Sequence, residues 1–215
     1  MISNELFECA EQHSTPEYPF LASLNRETQL TQLYPRMLAG HMQGMLLRLI
    51  SQMIKPRRIL EIGTFTGYSA INFAMGLYSS PPEEGVLHTI EVDPEQEAII
   101  RKYFIEAGIE KKVILHIGEA MKIIPTLDET WDLVYIDADK PNYLNYYNLV
   151  FDRVRPGGFI LADNALWDGK VLDPGIRSSD TRGIIDFNEF VMKDDSVENL
   201  LLPFRDGLMI VRKKA

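Results

Sequence analysis

Two short segments set hard oxygen donors side by side: Tyr135-Ile136-Asp137-Ala138-Asp139-Lys140 and Leu161-Ala162-Asp163-Asn164. Each follows an apolar run of strand character, so Asp137, Asp163 and Asn164 can meet at one edge of a sheet. Two carboxylates and an amide form an oxygen-only donor set, which suits Mg²⁺ or a similar cation completed by water and substrate oxygens. Alone, Asp-Asn at a strand end is more often a turn than a metal site, and Asp137 is what turns the reading towards a metal. Lys140 stands three residues beyond Asp137. Beside a divalent cation it is a usable general base near neutrality; without one it is a surface lysine.

A second kind of chemistry belongs to Glu61-Ile62-Gly63-Thr64-Phe65-Thr66-Gly67-Tyr68-Ser69. Glycines at a strand-to-helix turn let the backbone approach a ligand and leave helix N–H groups free for an acidic group. A dinucleotide fingerprint needs a glycine where Phe65 stands, so a cofactor without phosphates fits better, and a turn with no ligand stays open. Further on comes Ile90-Glu91-Val92-Asp93-Pro94. Glu91 can accept both hydroxyls of a ribose, whereas Asp93 can equally cap the helix that Pro94 opens.

These residues need a scaffold that delivers strand ends to one place. Arg58–Ile62, Val86–Val92, Val113–Ile117, Leu133–Ile136 and Phe159–Leu161 read as buried strands. Helical patterns at Tyr68–Leu77, Pro94–Ala107, Glu119–Leu127 and Tyr143–Val154 lie between them. That alternation implies a parallel sheet covered on both faces, whose ligands bind at the carboxyl ends of the strands. Leu200–Phe204 and Leu208–Arg212 flank Arg205-Asp206-Gly207, a turn signal for a closing antiparallel hairpin. Upstream, Met37, Leu38, Met42, Met45, Leu46, Leu49, Ile50 and Met53 recur at helical spacing between Pro35 and Pro56, and read as core packing.

With 215 residues, and no repeat or linker, the chain reads as one domain, residues 1–36 forming an extension on the substrate side. Its 22 Lys plus Arg against 31 Asp plus Glu repel phosphate backbones, so nucleic acid is not expected as a partner. Neither a membrane span nor a secretory signal is visible, so a cytoplasmic location is expected. Cys9 is the single cysteine, which leaves no cysteine-built metal site. His13, His41, His88 and His116 lack metal-ligand spacing and read as surface or core residues. Trp167 reads either as a shield over an aromatic substrate or as a packed loop anchor.

Together EIGTFTGYS, IEVD, YIDADKPNYLNYY and GGFILADNALWDGKV resemble the caffeoyl-CoA and catechol O-methyltransferase family, over most of the chain from about Met37 onward. The resemblance implies an α/β, Rossmann-like methyltransferase fold: a seven-stranded, mostly parallel sheet ending in an antiparallel hairpin, with helices on both faces. It also implies S-adenosylmethionine as methyl donor, a divalent cation, usually Mg²⁺, and a homodimer. By matching position, Glu61, Gly63, Thr64, Ser69, Glu91, Ala120 and Asp139 would line the cofactor site. In the same way Asp137, Asp163 and Asn164 would hold the metal, and Lys140 would be the base. Plant caffeoyl-CoA enzymes carry Asn where this chain has Asp168, and their basic N-terminal substrate contact has no match in the first 25 residues.

The expected reaction is methylation of one hydroxyl of a small aromatic vicinal diol, with Lys140 taking the proton. A nicotinamide-dependent dehydrogenase is the competing enzyme reading, disfavoured by Phe65 and by the lack of a Tyr-x-x-x-Lys set at the strand ends. A non-catalytic binding domain is the competing reading from another class, disfavoured by Lys140 beside the metal ligands. Acceptor choice is assigned to the first 35 residues and to Trp167–Gly183. Both are irregular in pattern, and the latter carries Pro174, Gly175, Ser178 and Ser179 as a mobile lid would.

Overall fold

The computed structural model describes residues 4–80, 83–173, 175 and 178–215. Seven strands form one sheet: β1 Arg58–Ile62, β2 Val86–Glu91, β3 Val113–Ile117, β4 Trp131–Ile136, β5 Val154–Ala162, β6 Val197–Leu202 and β7 Leu208–Lys213. Their spatial order is β3, β2, β1, β4, β5, β7, β6. The first five run parallel, while β7 is antiparallel to both its neighbours, which makes β6 and β7 the expected closing hairpin. Strand order reverses between β1 and β4, so the crevice beyond their carboxyl ends is where such a sheet binds ligands.

Eight α-helices accompany the sheet among the described residues: α1 Asn4–Gln12, α2 Pro19–Thr31, α3 Gly40–Ile54, α4 Tyr68–Ala74, α5 Glu97–Glu106, α6 Ala120–Ile123, α7 Tyr143–Phe151 and α8 Ser179–Lys193. Successive side chains of a strand point to opposite faces, and here both faces are dry. Ile59, Leu87, Leu133 and Leu161 pack with Leu24, Leu47, Phe73 and Ile100 from α2, α3, α4 and α5. Leu60, Ile90, Val134 and Ile160 pack with Tyr147 and Val150 of α7 and Ile184 and Phe187 of α8. Each such fully buried aliphatic side chain stabilises the fold by about 1.5–3 kcal/mol, and two-sided burial is why the strands read as continuous apolar runs.

Some boundaries differ from expectation for identifiable reasons. The single helix expected over Met37–Met53 is a 3₁₀ turn, Pro35–Met37, followed by α3, because Gly40 adopts a positive φ of 73° and resets the chain. Its apolar stripe is also rotated: Leu49 and Met53 are exposed, whereas Gln43, Leu47, Arg48, Ile50 and Ser51 face inward. β6 starts at Val197 and stops at Leu202, because Pro203 has no N–H to continue the ladder. The first 35 residues are not irregular, since α1 and α2 occupy much of them. Nor is Trp167–Gly183 one loop: Trp167–Leu172 forms 3₁₀ turns, and α8 begins at Ser179, where Ser178 Oγ accepts from Thr181 N at 3.2 Å. Pro174, named with the lid, and Met1–Ser3 of the extension lie outside the described residues.

Candidate active site

The tips of β1 and β4 touch. Asp137 N donates to Ile62 O at 2.9 Å, and Gly63 passes so close that a Cβ there would fall 2.0 Å from Asp137 O. No other residue could occupy this point, and its φ of 98° suits glycine as well. The turn continues through Phe65 at φ 52° to Gly67, which opens α4. Phe65 N donates to Glu91 Oε2 at 2.7 Å and Asp93 N to Glu91 Oε1 at 2.9 Å, so the acid at the end of β2 braces the glycine turn. Each Glu91 oxygen keeps a lone pair for a further donor. Asp93 caps the turn opened by Pro94, its Oδ1 accepting from Glu95 N at 2.9 Å.

Glu61, fully buried beneath this turn, accepts from Thr89 Oγ1 at 2.5 Å through Oε2, and Thr89 Oγ1 lies 2.5 Å from Thr64 Oγ1. Its Oε1 has no hydrogen-bond partner. Burial pushes Glu61 up to about 8, against the pull of the nearby Ser69 and Thr89 hydroxyls. An orphaned carboxyl oxygen in a dry site calls for a partner, and a cationic group on a bound molecule, which favours the ionised form, fits. Ala120 opens α6 beside this region, just beyond Gly118, whose N–H donates to Glu91 O at 2.8 Å. Asp139 is exposed, and its carboxylate accepts from Tyr146 OH and Asn142 Nδ2, both at 2.5 Å.

Asp137 and Asp163 immediately follow Ile136 and Ala162, which are register partners on β4 and β5. Adjacent strands lie about 4.8 Å apart, so the two residues stand side by side at the sheet edge. Asp163 is 6% exposed, and its Oδ2 accepts from Gln43 Nε2 at 2.5 Å and from Tyr135 OH at 3.1 Å. Its Oδ1 accepts from the backbone N–H of Asn164 at 2.8 Å, with Asn164 itself left-handed at φ 57°. Burial raises Asp137 to about 6, the attraction of Lys140 opposing this and the charge of Asp163 adding to it. Two acids that repel each other suit an oxygen-preferring cation, while the side-chain amide of the adjoining Asn164 donates through Nδ2 to Asp206 Oδ2 at 3.3 Å. No group of three or more His, Cys, Asp and Glu side chains is placed to hold a metal among the described residues; the expected set has two carboxylates and an amide.

Lys140 is 9% exposed, so it is not the surface lysine of the alternative reading. Its Nζ lies 3.1 Å from Asp137 Oδ1 and 2.7 Å from Tyr143 OH, and 5.7 Å from the centre of the Trp167 ring. Burial raises the phenol of Tyr143 well above its ordinary value, so it stays protonated beside the lysine. Tyr143, Tyr135, Gln43 and Arg205 were not among the residues singled out from sequence. Gln43 carried a signal, a polar side chain on the inward face of a helix, but the rotated stripe hid it. Of the histidines, His88 and His116 form a stacked pair on β2 and β3, with Nδ1 and Nε2 3.0 Å apart.

The O-methyltransferase family model matches residues 11–214. Catechol O-methyltransferase domain-containing protein 1 of Mus musculus is 35% identical over 98% of this chain and 80% of its own length. Catechol O-methyltransferase of Niastella koreensis is 37% identical over 74% of this chain and 72% of its own. The crystal structure of the O-methyltransferase TomG of Streptomyces achromogenes, in complex with SAM, superposes with a TM-score of 0.90 at 29% identity, covering 100% of both chains. The chain therefore belongs to the O-methyltransferase family of the catechol and caffeoyl-CoA type, and is an enzyme that transfers the methyl group of S-adenosylmethionine to a hydroxyl oxygen.

Proposed function

We propose that this enzyme depends on a divalent cation and methylates one hydroxyl of a small aromatic vicinal diol. The observation that supports the proposal is the placing of Asp137 and Asp163 directly after the register partners Ile136 and Ala162 of adjacent strands, with Asn164 next in the chain and Lys140 Nζ 3.1 Å from Asp137 Oδ1. A divalent cation, Mg²⁺ by the hardness of the donors, would be held by those three residues and would supply Lewis acidity there. Lys140 accepts the hydroxyl proton at Nζ, steadied by Asp137 and Tyr143. The acceptor oxygen then forms its bond to the methyl carbon as the carbon–sulfur bond breaks, releasing S-adenosylhomocysteine. Trp167, over Lys140, supplies a flat apolar wall for an aromatic ring.

In the same proposal Glu61, Gly63, Thr64, Ser69, Glu91, Ala120 and Asp139 line the donor's site. Glu91 offers its remaining lone pairs to the ribose, and the orphaned Oε1 of Glu61 suits the donor's ammonium. Residues 1–36 are assigned to an extension on the substrate side, whose helix α2 also meets the glycine turn, where Thr28 Oγ1 donates to Thr66 Oγ1 at 3.1 Å. Asp168 and the acidic first 25 residues disfavour a CoA-thioester acceptor.

The deciding experiment is a methylation assay over catechols, flavonoids and caffeoyl esters, with Mg²⁺ and with chelator, for the wild type and Asp163→Ala. Catechol turnover that requires Mg²⁺ and is lost in the variant is expected. Equal turnover with chelator, or in the variant, would remove the metal from the reading.

A further inference from the structure

Asp163 is held by a relay that reaches from one end of the chain to the other. Gln43 lies on α3, is 3% exposed, and spans two partners: its Nε2 donates to Asp163 Oδ2 at 2.5 Å and its Oε1 accepts from Arg205 Nη1 at 2.7 Å. The orientation of this amide is fixed by chemistry. A carboxylate can only accept and a guanidinium can only donate, so the nitrogen must face Asp163 and the oxygen Arg205. Tyr135 OH, fully buried, donates to the same Oδ2 at 3.1 Å. Both lone pairs of Oδ2 are thereby engaged, whereas Oδ1 receives one donor, Asn164 N.

Arg205 is the unusual member. It stands in the β6–β7 turn at φ 51°, left-handed backbone that glycine holds without strain and that a long side chain disfavours. Strain of this kind persists where surrounding contacts hold it, and the main contact here is the guanidinium on Gln43; a longer bond from Nη2 to Leu38 O, at 3.5 Å, points the same way. The turn thus places a cation behind an amide that itself holds a buried carboxylate.

We propose that Gln43 and Arg205 are positioning residues that fix Asp163 so that it offers Oδ1 alone to the divalent cation, Arg205 acting through Gln43. This rests on the metal reading given above. Outer partners of metal-binding carboxylates commonly contribute ten-fold or more to affinity. The relay also explains why a polar residue sits on the buried face of α3, where an apolar one would pack more cheaply.

The test is direct Mn²⁺ binding, followed by the electron paramagnetic resonance of free Mn²⁺, on full-length protein saturated with S-adenosylhomocysteine. Wild type, Asp163→Ala, Gln43→Leu, Arg205→Gly and Arg205→Lys are compared, each with its melting temperature and its affinity for S-adenosylhomocysteine. Gln43→Leu and Arg205→Gly are expected to weaken Mn²⁺ binding roughly ten-fold with S-adenosylhomocysteine affinity unchanged, and Arg205→Lys less so. Arg205→Gly is further expected to melt no lower than wild type, because glycine relieves the turn. Weaker metal binding without lost stability is a signature that a merely structural role cannot give. If both variants bind Mn²⁺ as wild type does while Asp163→Ala does not, the relay proposal is overturned and the metal reading stands. The proposal is also overturned if Arg205→Gly loses Mn²⁺ only in step with its melting temperature. If wild type binds no Mn²⁺, or Asp163→Ala binds it equally, the metal reading fails and the relay with it.

Discussion

Gly183 of α8 is pressed against the backbone of Lys140, so that a Cβ at Gly183 would lie 2.3 Å from the Lys140 carbonyl oxygen and 2.7 Å from Pro141 Cα. A helix packed this tightly against a turn fixes the backbone of Lys140, the proposed base. Gly183→Ala must push the Lys140 turn away, costing about 1–3 kcal/mol of stability by overpacking. With Lys140 as the proposed base, a displacement near 1 Å there is expected to lower kcat about a hundred-fold. Steady-state kinetics on a catechol and calorimetric unfolding check both effects. A variant with wild-type kcat would show that Lys140 is not held from behind.

Gly183 also shows what the sequence could and could not disclose. Gly63 was legible because it lies between a strand and a helix that both announce themselves, and because the acids flanking the crevice follow apolar runs. Gly183 reads as the end of an irregular loop carrying Pro174, Gly175, Ser178 and Ser179, and the backbone that needs a glycine there, at Lys140 and Pro141, lies more than forty residues away in sequence. Arg205 was silent for the same reason, and the signal of Gln43 was hidden by the rotated stripe of α3. Their meaning comes from partners brought together by the order of strands β5, β7 and β6. Strand existence was readable from β-branched runs, while the extension of β5 back to Val154 was hidden by Pro156, Gly157 and Gly158, where register with β4 shifts between Trp131 and Leu133.

The acid beneath the glycine turn gives a pH signature. Burial moves Glu61 from its ordinary value of 4.5 up to about 8. Between those values the folded protein keeps a proton that the unfolded chain has released, so this group's contribution to stability falls as pH rises from about 4.5 to about 8. Glu61→Gln keeps the neutral form at every pH. In cofactor-free protein its melting temperature should gain on wild type steadily across that window, while its affinity for S-adenosylmethionine drops. A difference in melting temperature that does not change with pH would show that Glu61 titrates normally.

His88 and His116 work in the opposite sense. Burial holds both below the usual histidine value of 6.5, and for His88 the neighbouring His116 adds to the effect while Glu129, 3.8 Å away, opposes it and Arg58 reinforces it. The unfolded chain therefore takes up protons below pH 6.5 that the folded pair resists, and stability is lost as pH falls through that value. His88→Gln retains a hydrogen-bonding side chain but removes one titrating ring. It should flatten the acid limb of a stability–pH curve, and an unchanged limb would place the acid sensitivity elsewhere.

The extension at the amino end bears on donor binding. Thr28 and Thr66 are both fully buried, and the bond between their hydroxyls ties α2 to the glycine turn. The same helix is fastened to the far side of that turn, where Gln32 Oε1 accepts from Gln96 Nε2 at 2.9 Å and Glu27 Oε2 from Tyr103 OH at 2.7 Å. Thr28→Val keeps the shape and removes the hydroxyl, costing about 1–2 kcal/mol. Because Thr66 lies between Gly63 and Gly67, the loosened turn should raise the Kd for S-adenosylmethionine several-fold while leaving kcat at saturating donor near its wild-type value, and Thr28→Ser should restore tight binding. Calorimetric titration measures the first quantity directly. An unaltered Kd with lowered stability would mean that α2 packs on the donor site without shaping it.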